Sequence, residues 1–313
     1  MNIHFALARQ AMCAGFRILG ARPGDRIAVP AFICSDVPAA LVHEGYQLVY
    51  YDIQQTLQPD LSQPKPQADF LLVVNYFGFP ADVASVTQRW GFDLRQIIED
   101  NAHGLFSRDQ EGRVLGQRTA LGFTSFRKSL RVGDGGTLHV NSPLLVELAA
   151  AEQLEPISRA PSVGGRLRQF GAQLSEQTRL PLMNLLRTTK RAVVRGAVQP
   201  FDETTRYPSP ASSQSLAVLH SCNPVEECRR RVSIYQRILP QIVAAGGQPI
   251  FRTLPSGVAP YALPFFSTTH VAQRVQRDLW LRNFEVFPWP NLPQIDRDYP
   301  SWYQHVHLVS FLR

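Results

Sequence analysis

Lys128 and Asp100 are the residues whose type and setting could do chemistry. Lysine is scarce, with three among 32 basic residues. Lys128 lies between the apolar run Ala120-Leu121-Gly122-Phe123 and the glycine-rich turn Gly133-Asp134-Gly135-Gly136. The run reads as a buried strand, so the lysine falls just past a strand end. A lysine in a cleft can lose solvation and a proton and act as an amine nucleophile. Upstream, Arg95-Gln96-Ile97-Ile98-Glu99-Asp100 reads as a strand ending on two carboxylates. An aspartate so placed is what the pyridine nitrogen of pyridoxal phosphate requires. Together Lys128 and Asp100 suggest a pyridoxal-phosphate enzyme. Asp100 has a second reading as a helix N-cap, because Asn101-Ala102-His103 follow it. Glu99 reads as one half of a structural ion pair.

These side chains need elements to hold them. Residues 5–19 have helical periodicity and stop at Gly20, residues 26–29 form a short strand, and residues 36–43 suit a helix. Strands follow at 47–51 and 70–74, the second apolar without alternation and therefore buried on both faces. A Gln/Pro-rich loop spans 54–67, a helix 81–90, and strands 97–98, 121–123 and 137–140. This alternation argues for a mainly parallel sheet flanked by helices, with ligands at the carboxyl ends of the strands. Further on, 144–154 and 165–198 read as helical, with a proline-rich break at 207–210. A long helix is expected over 224–245, then a strand at 260–266, a helix at 271–282 and a proline- and tryptophan-rich tail. The expected division is a large unit over 1–222 and a small one over 223–313.

Composition narrows the class. Apolar content of 44% and charged content of 18% are ordinary for a globular chain. No apolar run approaches the roughly 20 residues that span a bilayer. Met1-Asn2-Ile3-His4 does not open a signal peptide, so a cytoplasmic location is expected. Cys13, Cys34, Cys222 and Cys228 match no zinc spacing and read as reduced, small apolar side chains. From Arg159 to Arg195 eight basic residues face one acid, Glu176. The bland reading is a solvated helix face; the sharper one is docking near a membrane surface or an anionic substrate. No stacking pattern or nucleic-acid-binding motif accompanies it, so no nucleic-acid partner is expected.

Four segments carry a resemblance through their order. They are Ala8-Arg9-Gln10-Ala11-Met12; residues 24–34 with Tyr51-Asp52-Ile53; Asn75 to Asp82 with Ile97-Ile98-Glu99-Asp100-Asn101-Ala102-His103; and Ser125 to Gly136. The chain resembles DegT/StrS-type sugar aminotransferases, a family of fold type I pyridoxal-phosphate enzymes, well over about 5–140 and loosely beyond. The resemblance implies an α/β fold of the type I pyridoxal-phosphate transferase kind, with a mainly parallel central sheet, a small C-terminal α+β domain and a homodimer. By position it makes Lys128 the lysine that forms the Schiff base with the cofactor and later moves protons at the substrate carbon. Asp100 pairs with the pyridinium nitrogen and His103 contacts the phenolic oxygen. Ser125, with the helix start at Ala8 and Arg9, meets the phosphate. Cys34 stands where the family commonly stacks an aromatic on the ring. The implied activity is ping-pong transamination of a keto-sugar nucleotide with an amino donor such as glutamate, serving surface-polysaccharide or secondary-metabolite synthesis. Two other readings stay open. Ala8, Cys34 and the short C-terminal part also suit a non-catalytic member that binds a partner, and the same cofactor could serve a lyase or dehydratase.

Overall fold

The computed structural model describes residues 1–151, 208–280 and 284–311. Its larger sheet has seven strands: β1 (Asn2–Phe5), β2 (Arg26–Pro30), β3 (Gln47–Tyr51), β4 (Phe70–Val74), β5 (Ile97–Asn101), β6 (Leu121–Thr124) and β7 (Gly136–Val140). Their spatial order is β1-β7-β6-β5-β4-β2-β3. The five strands from β3 to β6 run parallel, whereas β7 and β1 add antiparallel pairs at one edge. Every residue of β5, β6 and β7 is buried, as in strands covered on both faces.

Helix α1 (Ala8–Ile18) packs across β7, β6 and β5. The fit is close: a side chain at Gly15 would meet Ile98 at 3.1 Å and Leu138 at 3.2 Å. Helices α2 (Asp36–His43) and α3 (Val83–Trp90) complete the parallel crossovers. Asp82 caps α3 by accepting the Ser85 N–H, and Gly91 ends it in the left-handed region. A single turn, α4 (Phe126–Ser129), carries Lys128 between β6 and β7, and α5 (Val146–Ala150) follows.

The second sheet is antiparallel, with β8 (Gln248–Pro249), β9 (Ala262–Phe266), β10 (Val286–Pro288) and β11 (Val306–Ser310) in the order β10-β11-β9-β8. Helix α6 (Ser213–Ser221) precedes α7 (Pro224–Ala244), and α8 (Thr269–Trp280) follows β9. Asn223 caps α7 through the Val225 and Glu226 N–H groups, with Pro224 in the first turn. The two sheets are joined by Arg297, which makes a bidentate pair with Asp52 at 2.8 Å for both bonds. Beside it, the Tyr303 hydroxyl accepts the Ile53 N–H.

The α/β class, the mostly parallel sheet and the long helix at 224 stand as expected. Four local expectations change. The first helix begins at Ala8, because residues 2–5 pair with β7 as an edge strand. The helix expected over 144–154 is a 3-10 turn, Pro143–Leu145, followed by five α residues. Helix α6 was not foreseen, since its mostly polar or weakly apolar sequence has no clear stripe. The proline- and tryptophan-rich tail supplies two strands, one of them the inner strand β11. The helix expected over 165–198, and the whole basic stretch 159–195 with it, lies outside the described residues. No helix among the described residues is long and apolar enough to cross a membrane.

Gly136 opens β7 directly against the start of α1. A Cβ there would lie 2.5 Å from both N and Cα of Ala8. Backbone cannot swing aside as a side-chain end can, so Gly136→Ala should destabilise the chain by about 1–3 kcal/mol, the usual cost of overpacking. A lowered urea midpoint checks this.

Candidate active site

The candidate residues meet at the carboxyl ends of the parallel strands. β5 delivers Asp100 and the turn after it delivers His103. β6 leads into Ser125 and Lys128, and the loop after β2 carries Cys34. Lys128 Nζ donates to His103 Nε2 at 3.1 Å. His103 is fixed by rings on both sides. It stacks on Tyr261, with centroids 4.7 Å apart and planes at 15°, and on Phe77 at 5.5 Å and 16°. Trp289 presses edge-on against both His103 and Phe77. Phe77 reaches its place with a backbone φ of 56°, a conformation that costs a residue bearing a Cβ.

Asp100 is 6% exposed. One carboxylate oxygen accepts the Ala102 N–H at 2.8 Å; the other accepts no hydrogen bond from a described residue. This turn bond, inside β5 and its following loop, replaces the helix-cap reading, since no helix begins there. Burial pushes the carboxyl up to about 6, with Lys128 and the Ala102 N–H opposing and Glu99 adding to the rise. Burial likewise drives His103 well below its ordinary value, reinforced by Lys128. The imidazole is therefore neutral at neutral pH.

The adjoining carboxylate behaves differently. Glu99 is fully buried on the opposite face of β5, where Arg118 Nε donates to it at 2.8 Å and Asn75 Nδ2 at 2.7 Å. Arg118 also donates to Asn75 Oδ1 and to the Ala81 carbonyl. The ion pair read for Glu99 is present, and Asn75 extends it to the loop after β4. Asn101 donates to the carbonyls of Gly104 and Leu115, closing the turn that bears His103.

The remaining candidates divide. Ser125 is buried just before α4, and its hydroxyl bonds no described residue. Ala8 and Arg9 open α1, and the Leu7 carbonyl accepts the Gln10 and Ala11 N–H groups of its first turn. The Arg9 guanidinium lies 3.5 Å from Asp36. Burial raises the Cys34 thiol, with the charge of Lys128 opposing and those of Asp36 and Asp100 adding to the rise. Tyr261, Trp289, Phe77, Asn75 and Arg118 were not singled out by sequence. Asn75 and Phe77 fall in one of the four segments without a role read for them, Arg118 lies just upstream of β6, and Tyr261 and Trp289 come from loops far along the chain that no local spacing marks.

With this geometry in hand, comparison with known proteins is direct. Residues 3–180, more than half of the chain, match the DegT/DnrJ/EryC1/StrS aminotransferase family. The chain belongs to that family. Members are pyridoxal-phosphate-dependent aminotransferases, and the chain is an enzyme of this class. No curated protein matches the sequence. Among solved structures, the aminotransferase TlmJ from Streptoalloteichus hindustanus aligns at 19% identity and a TM-score of 0.65, covering 99% of this chain and 80% of that one. DesV of S. venezuelae aligns at 17% and 0.63, over 99% and 79%. GDP-4-keto-6-deoxymannose-3-dehydratase, ColD, with bound GDP-perosamine, aligns at 14% and 0.59, over 99% and 83%. At these identities the likeness shows the fold.

The buried carboxyl has a measurable consequence. A carboxyl raised in the folded state binds a proton there before it does in the unfolded chain. Its penalty is absent below pH 3.8 and complete above about 6. At about 1.4 kcal/mol per pKa unit, this is up to about 3 kcal/mol. In the absence of cofactor, Asp100→Asn should therefore be more stable than the wild type at pH 8 by up to that amount. The gap should close as the pH is lowered towards 4, measured by urea unfolding across the range.

Proposed function

We propose that this chain is a pyridoxal-phosphate aminotransferase acting on a keto-sugar nucleotide, with Lys128 as its catalytic lysine. The observation that carries the reading is Lys128 held by a neutral, ring-clamped His103 close enough to Asp100 for its charge to oppose the rise of that buried carboxyl. The donor set fits the cofactor. Asp100 keeps one carboxylate oxygen without a described partner, the Ser125 hydroxyl bonds no described residue, and α1 begins at Ala8 beside the start of β7. An N–H-rich helix start suits a phosphate. A buried carboxylate facing a ring N–H suits a pyridinium nitrogen.

When bound, pyridoxal phosphate supplies the electron sink that stabilises negative charge developing at the substrate carbon. The chain's own residues do the rest. Asp100, in its low-dielectric setting, would hold the ring-nitrogen proton. His103, neutral and clamped between rings, would meet the phenolic oxygen. Ser125 and the α1 start with Ala8 and Arg9 would hold the phosphate, and Cys34 would face the ring. Lys128 Nζ takes the proton from the substrate carbon and returns it elsewhere on the substrate. An amino donor such as glutamate would be consumed in the first half-reaction and the keto-sugar nucleotide aminated in the second. The keto-sugar class draws support from ColD, a neighbour of the same fold whose name carries a GDP-linked keto sugar. The reading includes a large unit over 1–222, a small unit over 223–313, a homodimer and a cytoplasmic location, with products serving polysaccharide or secondary-metabolite synthesis.

The decisive experiment is the visible spectrum of the purified protein with added pyridoxal phosphate, before and after borohydride, for wild type and Lys128→Ala. The expected result is a band fixed covalently only when Lys128 is present, with the mass increment on its peptide and not on those of Lys65 or Lys190. Glutamate should discharge the wild-type band, and Lys128→Ala should lower kcat by about 10²–10⁴-fold. No band, or one indifferent to Lys128, would sink the proposal in favour of a non-catalytic member. Release of water from the sugar in place of amine transfer would move it to a dehydratase.

A further inference from the structure

The buried stripe of α7 contains a charge. Ile234, Tyr235, Ile238 and Ile242 recur at helical spacing on its inner face, and Arg231 continues that stripe one turn earlier at 2% exposure. Its Nε donates to Glu227 Oε1 at 2.7 Å, and its Nη2 donates to the backbone carbonyl of Ser129 at 2.9 Å. Ser129 follows Lys128 and is the last residue of α4. Carbonyls at a helix C-terminus have no intrahelical donor, and α4 is one turn long with no side-chain cap at Ser125. Arg231 thus ties the lysine-bearing turn to a helix about 100 residues further along the chain.

As a stabilising device this junction is poor. Arg231 Nη1 and Ser129 Oγ are both buried with no hydrogen-bond partner among the described residues. Such orphans are rare in native proteins and costly. A buried ion pair recovers at best part of the desolvation of its members, and well-packed apolar replacements are often neutral or stabilising. What the guanidinium supplies that apolar groups cannot is direction: a planar fork with one edge set by Glu227 and the other aimed at one carbonyl.

We infer that Arg231 is a positioning residue that fixes the orientation of Lys128 through the Ser129 carbonyl. The inference rests on the proposed role of Lys128, but its test can be read without cofactor. The variant is Glu227→Met/Arg231→Met, which removes both members of the buried pair and leaves half-exposed Arg230 to water. Three quantities are measured: the thermal midpoint; labelling of Lys128 relative to Lys65 by a small amine-reactive reagent in the ligand-free protein, read by peptide mass; and kcat and KM of the loaded enzyme. The midpoint should hold or rise while the labelling ratio changes severalfold. kcat should fall about 10²-fold with KM little altered, the cost of a misplaced reacting group. Should the double variant not fold, Arg231→Lys decides. A lysine keeps the charge but cannot serve Glu227 and Ser129 together, so the same change in labelling is expected. An unchanged labelling ratio in a folded variant overturns the inference. Failure of Lys128 to bind cofactor would sink the proposed function and leave the labelling result readable by itself.

Discussion

Two neighbouring carboxylates buried in one strand set the terms for the rest of this structure. Glu99 and Asp100 lie side by side in β5, and strand alternation sends them to opposite faces of the sheet. Each must find compensation where water is excluded. On one face Glu99 is satisfied by Arg118 and Asn75 and holds the strand ends together. On the other face Asp100 has one backbone N–H and a nearby lysine, and keeps one oxygen in reserve. The contrast separates scaffold from chemistry within two residues.

The same asymmetry recurs around the lysine. Lys128 rests on a neutral imidazole instead of on a carboxylate. A carboxylate partner would hold the nitrogen as a fixed cation. An imidazole clamped between Tyr261 and Phe77 offers a hydrogen bond without a countercharge, and it cannot rotate away. Rigidity here comes from packing of rings drawn from both halves of the chain. Among the described residues, the Ser125 hydroxyl and one Asp100 oxygen are left without a partner.

Much of this was legible in the sequence because it is local. The apolar runs of β4 and β6 mark a doubly covered sheet, and Asn223-Pro224 marks the start of α7 within a residue. The Asp100 and Lys128 segments announce themselves through glycine and carboxylate placement at strand ends. What stayed hidden depends on distance along the chain. The strand at residues 2–5 exists only because β7 is there to pair with it. Arg118 shows its purpose only when Glu99 faces it, and Arg231 only when α7 comes to lie against α4. Tyr261 and Trp289 look like loop residues until the fold sets them around His103. Periodicity reports burial, but it does not say which distant group a buried polar side chain will meet.

The order of strands in the smaller sheet carries a consequence for how the site comes into being. β11, formed by residues 306–310, is an inner strand between β10 and β9. The loops bearing Tyr261 and Trp289 flank those partners. Until those residues pair, the wall that steadies His103 has no central strand to hang from. Contacts of such long sequence separation are slow to form. The setting of His103 in the large sheet thus depends on strand pairing completed in the small one.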